Sequence, residues 1–341
     1  MTANADRLII LSMGLGRDSI TMLCLLIEGK LLVDGVAIGP NEVDAVVFSD
    51  PGSEWDHSYA MIPRLQAICE QHGIRFIVLS KPASEGLSGW KQYIADGVFS
   101  ASAKTPWQKL LDGRSIEEKA AGGYYHRRAP ILHDYMRGGQ ITLRANPACT
   151  VNHKILPINS RLVNDLCLER FITNTQRGAW GRLVKYGVRL KHRILIGIAA
   201  DEVSRVEKGV EAAARKANAY YESSYPLVEA GIAKADEGPI LARHGLDDTR
   251  KSGCDHCHFQ PDSWFWALSV SKPERFAEVV AYEATCNKAR DEKGEPNRYL
   301  RGKNPIDKVV ASWRRRHPDA TVTEVLDKGY DRPGCSKPKA A

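Results

Sequence analysis

The fold turns on the stretch Leu8-Ile9-Ile10-Leu11-Ser12-Met13-Gly14-Leu15-Gly16-Arg17-Asp18-Ser19. Leu8 to Leu11 is an unbroken apolar run, the pattern of a short buried strand. Beyond the glycines, apolar residues recur at Ile20, Leu23, Cys24 and Ile27, the spacing of one helix face, and Gly29 is a plausible stop. The segment therefore reads as strand, glycine-rich turn, helix. Glycine lets backbone N–H groups come close to anionic oxygens, and a helix N-terminus adds partial positive charge. Asp18 and Ser19 sit where a helix cap belongs, and the hydroxyls of Ser12 and Ser19 are donors suited to phosphate. The same residues also read as a tight turn with no ligand.

Working outward, Ala45 to Ser49 is a second buried strand. The next helix carries Met61, Leu65, Ile68 and Cys69 on one face, and Arg75 to Leu79 is a third strand. Strands alternating with helices predict an α/β fold, a parallel twisted sheet with helices on both faces. From 82 to 147 the pattern is irregular, mixing Trp90, Trp107, Tyr124, Tyr125, Arg127 and Arg128. This reads equally as an insertion with substrate contacts and as a structural lid. Ile194 to Ile198 is the next strand, followed by a charged helix. After Tyr225 the chain becomes richer in turns and contains Cys254 and Cys257. The expected division is a nucleotide-binding α/β domain over 1–224 and a cysteine-containing module with a basic tail over 225–341.

The chain has 341 residues, a formal charge of +7 and ordinary apolar and charged fractions. A basic balance suits an anionic partner, whether nucleotide or nucleic acid, and equally a mildly basic enzyme. No apolar run approaches the roughly 20 residues that cross a bilayer, so no membrane partner is expected. Met1 to Asp6 has no basic stretch and Leu8 to Leu11 is too short for a signal peptide, so the expectation is a cytoplasmic protein. In a reducing compartment eight cysteines are not a disulfide framework, and clustered ones are metal or redox candidates. Cys254-x-x-Cys257 can hold one metal centre if two further ligands join it. His256 and His258 would favour zinc. Cys24 and Cys69 lie on apolar helix faces and read as core. Trp264, Trp266 and Leu268 could stack bases but read better as packing beside the cysteines.

The loop is not a Walker A loop, since no Gly-Lys-Ser/Thr follows. It matches a dinucleotide fingerprint poorly, because Ser19 replaces the third glycine and Asp44 precedes the second strand instead of ending it. It resembles instead the PP-loop of ATP pyrophosphatases, Ser-Gly-Gly-x-Asp-Ser, with Gly14 in place of the first serine. Four more segments resemble the phosphoadenosine phosphosulfate (PAPS) reductase-like family of that superfamily. They are Phe48-Ser49-Asp50-Pro51-Gly52-Ser53-Glu54; Cys149-Thr150-Val151-Asn152-His153-Lys154-Ile155-Leu156-Pro157-Ile158; Gly197-Ile198-Ala199-Ala200-Asp201-Glu202-Val203-Ser204-Arg205; and Tyr225-Pro226 with Lys251-Ser252-Gly253-Cys254-Asp255-His256-Cys257. Pro273-Glu274-Arg275-Phe276 continues the last of these.

The resemblance implies an adenine nucleotide, ATP or phosphoadenosine phosphosulfate, with its phosphates at Ser12, Gly14, Gly16, Arg17, Asp18 and Ser19. Asp50 would lie near the adenosine and Gly197 beside the loop. Lys154 and Arg205 would be the cations on the phosphates, acting in catalysis with Asp18. Asp201 and Glu202 would hold Mg²⁺, or else cap the next helix. Cys149 and Cys335 would join Cys254 and Cys257 as metal ligands, with Cys286 the alternative fourth. The family points to a [4Fe-4S] cluster, and zinc is the alternative. Two activities then follow. One adenylates an acceptor at the α-phosphate of ATP and supports sulfur transfer, with a nucleic acid as the acceptor and a sulfur-donor protein as partner. The other reduces phosphoadenosine phosphosulfate to sulfite through a Cys335 thiolate favoured by Lys337 and Lys339. A nucleotide-binding accessory protein is the non-enzymatic reading.

Overall fold

Strand β1 (Ile9–Met13) is the centre of the sheet. It outlasts the apolar run because Ser12 and Met13 still pair with Val47 and Phe48 of a neighbouring strand. The computed structural model describes residues 7–80, 131–132, 135, 141, 148–155, 158, 191–207 and 221–328. The turn after β1 leads into α1 (Arg17–Ile27), and Gly29, at φ +67, ends that helix in the left-handed region where glycine is favoured. A two-residue hairpin follows, β2 (Leu31–Val33) and β3 (Val36–Ile38). Its loop, Asp34-Gly35, has φ +55 and +75, as a hairpin matching strand twist requires. Then come β4 (Ala45–Asp50), α2 (Asp56–Gln71), β5 (Phe76–Ser80), β6 (His192–Ile196) and β7 (Tyr221–Ser224).

The five long-range strands run in the order β5-β4-β1-β6-β7, and every pairing is parallel. The described residues thus form an α/β fold. Alternation along β1 sends Ile9, Leu11 and Met13 to one face and Leu8 and Ile10 to the other. On the first face lie α1, α2, α3 (Pro226–Glu229) and α4 (Lys234–Ala242), through Ile20, Leu23, Ile62, Leu65, Leu227 and Leu241. Cys24 and Cys69 are fully buried there, as core cysteines. Ile158 covers part of the second face. Both faces are apolar, as a buried parallel sheet requires.

A second apolar cluster gathers α5 (Asp262–Ser271), α6 (Pro273–Asp291), α7 (Ile306–Arg316) and α8 (Val322–Lys328) around Trp264, Phe265, Tyr282 and Ile306. Trp264, Trp266 and Leu268 are all buried, in the packing role expected of them. Trp55, from the turn after β4, also belongs to this cluster and ties it to the sheet. The change of packing partner falls between Leu246 and Trp264, later than the change of composition at Tyr225. No described helix is long and apolar enough to cross a membrane. The irregular stretch with Trp90, Trp107, Tyr124, Tyr125, Arg127 and Arg128, and the tail with Cys335, Lys337 and Lys339, lie outside the described residues.

Candidate functional site

From β1 the chain steps through β4 to β5 in one direction, and β6 and β7 lie on the other side. The carboxyl ends of β1 and β6 therefore flank the point where open α/β sheets leave a crevice. The Gly14–Gly16 loop leaves β1 there, and Gly197 follows β6. Gly16 is the N-cap of α1 in extended conformation, with no side-chain cap among the described residues. Gly16 has no side chain with which to cap α1, the arrangement that favours an anion at a helix N-terminus. Leu15 adopts φ +58 although it is a leucine, and its side chain is buried in the sheet core. Left-handed backbone at such a residue is strained, and packing of the side chain holds it in place.

Two glycines set the loop's surroundings. A Cβ on Gly197 would stand 2.8 Å from Ser19 N, and one on Gly16 would stand 2.7 Å from Ser252 Oγ. The first contact lets β6 press against the start of α1. The second seats the Ser252-Gly253-Cys254 segment directly on the loop. Ser12, half-buried, sits one residue before the end of β1 beside Ile196.

Several expected phosphate contacts are turned inward. Ser19 is no cap: its Oγ accepts from Gly14 N–H at 3.0 Å and donates to Gly16 O at 3.0 Å, bracing the loop from within. The Arg17 guanidinium faces α4, with Nε 3.5 Å from the buried Glu237 carboxylate and Nη1 donating to Thr249 O at 3.4 Å. Asp18 lies in the first turn of α1, beyond the cap. Burial and the Glu202 charge raise its pKa, against hydrogen bonding with Glu237 and the charges of Lys234 and Arg205.

Glu202 and Arg205 pair with each other, and Lys234 Nζ lies 2.7 Å from the other Glu202 oxygen. Burial opposes the Glu202 charge, but these two cations outweigh it and hold its pKa below the ordinary value. The exposed Asp201 accepts from Lys234 N–H at 3.4 Å, at the start of α4. With both Glu202 oxygens on cations, this pair does not fit a divalent ion. Asp201 thus meets the start of α4, a helix 33 residues further along, and not the helix that directly follows it.

On the β4 side, Asp50 is buried and its Oδ1 accepts from Gly52 N–H at 2.7 Å and from the Tyr59 hydroxyl at 2.8 Å. Burial outweighs those bonds and pushes its pKa up to about 7. The Tyr59 oxygen also accepts from Glu54 N–H at 3.1 Å. Segment 148–155 lies over β4, where Ser49 Oγ donates to His153 O at 2.7 Å. That contact brings Lys154 to Glu54, Nζ to Oε1 at 3.1 Å. Burial disfavours the Lys154 charge, yet the Glu54 carboxylate outweighs it and raises the pKa. The second Glu54 oxygen accepts from Gly253 N–H at 2.7 Å.

Compared with protein-family models, with curated proteins and with solved structures, the chain finds no match.

Cys254 and Cys257 occupy one turn, closed by Cys257 N–H on Cys254 O at 3.0 Å. Burial and the Glu54 charge push the Cys254 thiol well above its ordinary value, against the pull of Lys154. Cys149 is half-exposed and packs against the helical cluster. Cys286 lies within that cluster, its Sγ 3.7 Å from Tyr135 O, which places it in apolar core. Among the described residues no three Cys, His, Asp or Glu side chains converge as a metal-holding group. The turn therefore supplies two thiols, half of a tetrahedral set. Asp255, between them, is clamped by Arg275 at 2.7 Å and accepts from or contacts His256 Nδ1 at 3.1 Å. Burial opposes its charge, and Arg275 holds its pKa low. That engagement leaves the imidazole of His256 against a carboxylate.

Glu54, Tyr59, Lys234, Glu237 and Ser252 make the contacts that hold these segments, and sequence assigned none of them a role. A buried glutamate has no periodic signature, and Glu54, Lys234, Glu237 and Ser252 act on partners distant in the chain.

Proposed function

We propose that the chain binds ATP in the crevice between β1 and β6 and cleaves it between the α and β phosphates. The observation that carries this reading is the uncapped N-terminus of α1 at the sheet's switch point, with Gly197 and Gly16 permitting close backbone approach on both sides. Backbone N–H groups of the first turn would hold the phosphates. Arg17, Ser19 and Arg205 would brace that cradle, since each is engaged with a protein partner. Lys154 is the cation for the departing pyrophosphate, and Asp18 shapes the cleft from the first turn.

In the reaction an acceptor oxygen forms a bond to the α-phosphorus. The bond from that phosphorus to the bridging oxygen breaks, pyrophosphate leaves, and the acceptor's proton passes to solvent. A sulfur nucleophile then displaces the adenylated oxygen, which departs as AMP. Donors already fixed in place would stabilise the charge that develops on the phosphates. A nucleic-acid acceptor agrees with the +7 charge. Cys254 and Cys257 are the two thiols this turn would offer to a [4Fe-4S] cluster or to zinc; a cluster, if completed by further ligands, would supply a place to hold sulfur.

The test is ligand-dependent thermal protection. ATP or its α,β-methylene analogue is expected to raise the melting temperature, and ATP with an acceptor to release pyrophosphate. Protection by phosphoadenosine phosphosulfate but not by ATP would replace this reading with the reductive one. Protection by ATP without pyrophosphate release from any acceptor would leave a binding role only.

A further inference from the structure

We propose that Glu54 is a positioning residue whose single carboxylate sets Lys154 in the cleft and fixes the cysteine turn, so that the two are placed together. Its side chain is fully buried, and each oxygen has its own partner: Lys154 Nζ at 3.1 Å and Gly253 N–H at 2.7 Å. The backbone on either side is held as well. Glu54 bridges Cys254 in antiparallel fashion, Trp55 N–H donates to Gly253 O at 3.3 Å, and Asp255 N–H donates to Ser53 O at 2.8 Å. Tyr59 secures Glu54 N–H and joins it to Asp50.

Glu54 is buried but the Lys154 side chain is 39% exposed, and an ion pair with one partner open to solvent adds little stability, so stability is a poor account of this one. Its effect is geometric. Lys154 stands on segment 148–155 and Cys254 on the turn before α5, a hundred residues of chain apart, and Glu54 touches both. The turn in its own right reaches the phosphate loop, since Ser252 Oγ lies where a Gly16 side chain would begin. Glu54 thus joins three segments: the one that bears the cation, the one that bears the thiols and, through Ser252, the loop. The link to the phosphates rests on the nucleotide reading; the placement of Lys154 does not.

The test uses full-length Glu54→Gln beside Glu54→Ala. In Glu54→Gln the amide oxygen still accepts from Gly253 N–H, but the amide nitrogen cannot accept from Lys154. Trace acetylation with acetic anhydride at pH 8, read by peptide mass spectrometry, reports how firmly Lys154 is held. Amide exchange over Gly253 to Cys257 reports the turn, and titration with inorganic pyrophosphate reports the cleft. The expected result for Glu54→Gln is Lys154 acetylated roughly tenfold faster, the factor given by one pKa unit. Its turn exchange should match wild type, whereas in Glu54→Ala both should rise. Pyrophosphate should bind about fivefold or more weakly once the charge-assisted hold on Lys154 is lost. Unchanged acetylation in Glu54→Gln overturns the proposal, and so does equal pyrophosphate affinity in wild type and variant. If pyrophosphate binds neither protein while acetylation rises as expected, the positioning role stands and the nucleotide reading falls.

Discussion

Gly197 is pressed so closely on Ser19 that any side chain at 197 would meet the backbone of α1, at 2.8 Å from Ser19 N and 2.9 Å from the Asp18 carbonyl carbon. Neither contact is to a flexible side chain, so the helix itself would have to move. Gly197→Ala is therefore expected to cost about 1–3 kcal/mol, as overpacking does. Urea denaturation measures that cost. The same displacement of the first turn should abolish thermal protection by ATP, while a variant distant from the cleft with equal loss of stability should keep it.

Asp50 gives the fold a pH dependence. Its folded pKa, about 7, lies above its ordinary value, so the folded chain holds a proton that the unfolded chain releases. Between about pH 4 and pH 7 its contribution to stability falls as pH rises, with a slope of at most about 1.4 kcal/mol per pH unit. Glu54, Tyr59 and Lys154 face this group. Asp50→Asn keeps an oxygen to accept from Gly52 and Tyr59 and removes the titration. Its stability relative to wild type should rise from pH 5 to pH 8, as seen in denaturant midpoints. A constant difference across that range would rule out Asp50 as the source.

The Arg275–Asp255 clamp is a second point of leverage. Arg275 Nε meets Asp255 Oδ2 at 2.7 Å and Nη2 donates to Ser53 Oγ at 3.0 Å, joining α6 to the cysteine turn and to the segment after β4. Arg275→Ala leaves a buried carboxylate uncompensated and should cost about 3–5 kcal/mol. Lysine lacks the fork that serves both partners, so Arg275→Lys should recover only part of the loss. Asp255 has a lowered pKa, so its contribution is present above the unfolded value and is lost as pH falls through the folded one. Wild type should therefore lose more stability than Arg275→Ala as pH falls below the ordinary aspartate range, which urea midpoints at about pH 5 and about pH 3 would reveal.

Glu283 caps the C-terminal helices from within. Its two oxygens accept from Leu300 N–H and from Ile306 N–H, each at 2.7 Å, and Ile306 opens α7. Glu283→Ala should cost about 1–3 kcal/mol for each buried N–H left without a partner. Amide exchange at Ile306 and Leu300 should accelerate before that of β1, because the helical cluster is separate from the sheet core.

Sequence carried the sheet's centre well. β1, β4, β5 and β6 are apolar on both faces, and such runs are legible without their neighbours. β7 escaped notice because Tyr221 to Ser224 is a half-polar edge strand. The β2–β3 hairpin does leave a signal, Asp34-Gly35 between apolar residues, but its strands are only three residues long. At the site, the glycine-rich turn between β1 and α1 was legible from spacing. What Arg17, Ser19 and Arg205 do was not, because it depends on Glu237, Gly16 and Glu202. A cation that looks available in a motif has its task set by whichever carboxylate the fold brings to it.

The placement of β6 also governs how this chain can be made. Leu8 N–H donates to His192 Nδ1 across 184 positions, and β1 depends on that late arrival to cover one whole edge. While the ribosome is still working through the intervening residues, β1, β4 and β5 can assemble only a half-sheet, with the β1 edge open to any other extended segment. Contacts so remote in sequence form slowly, so this interval is where the newborn protein is most exposed to wrong pairing. Yield on expression should depend on translation speed and chaperone supply between β5 and β6 more than on the stability of the finished molecule.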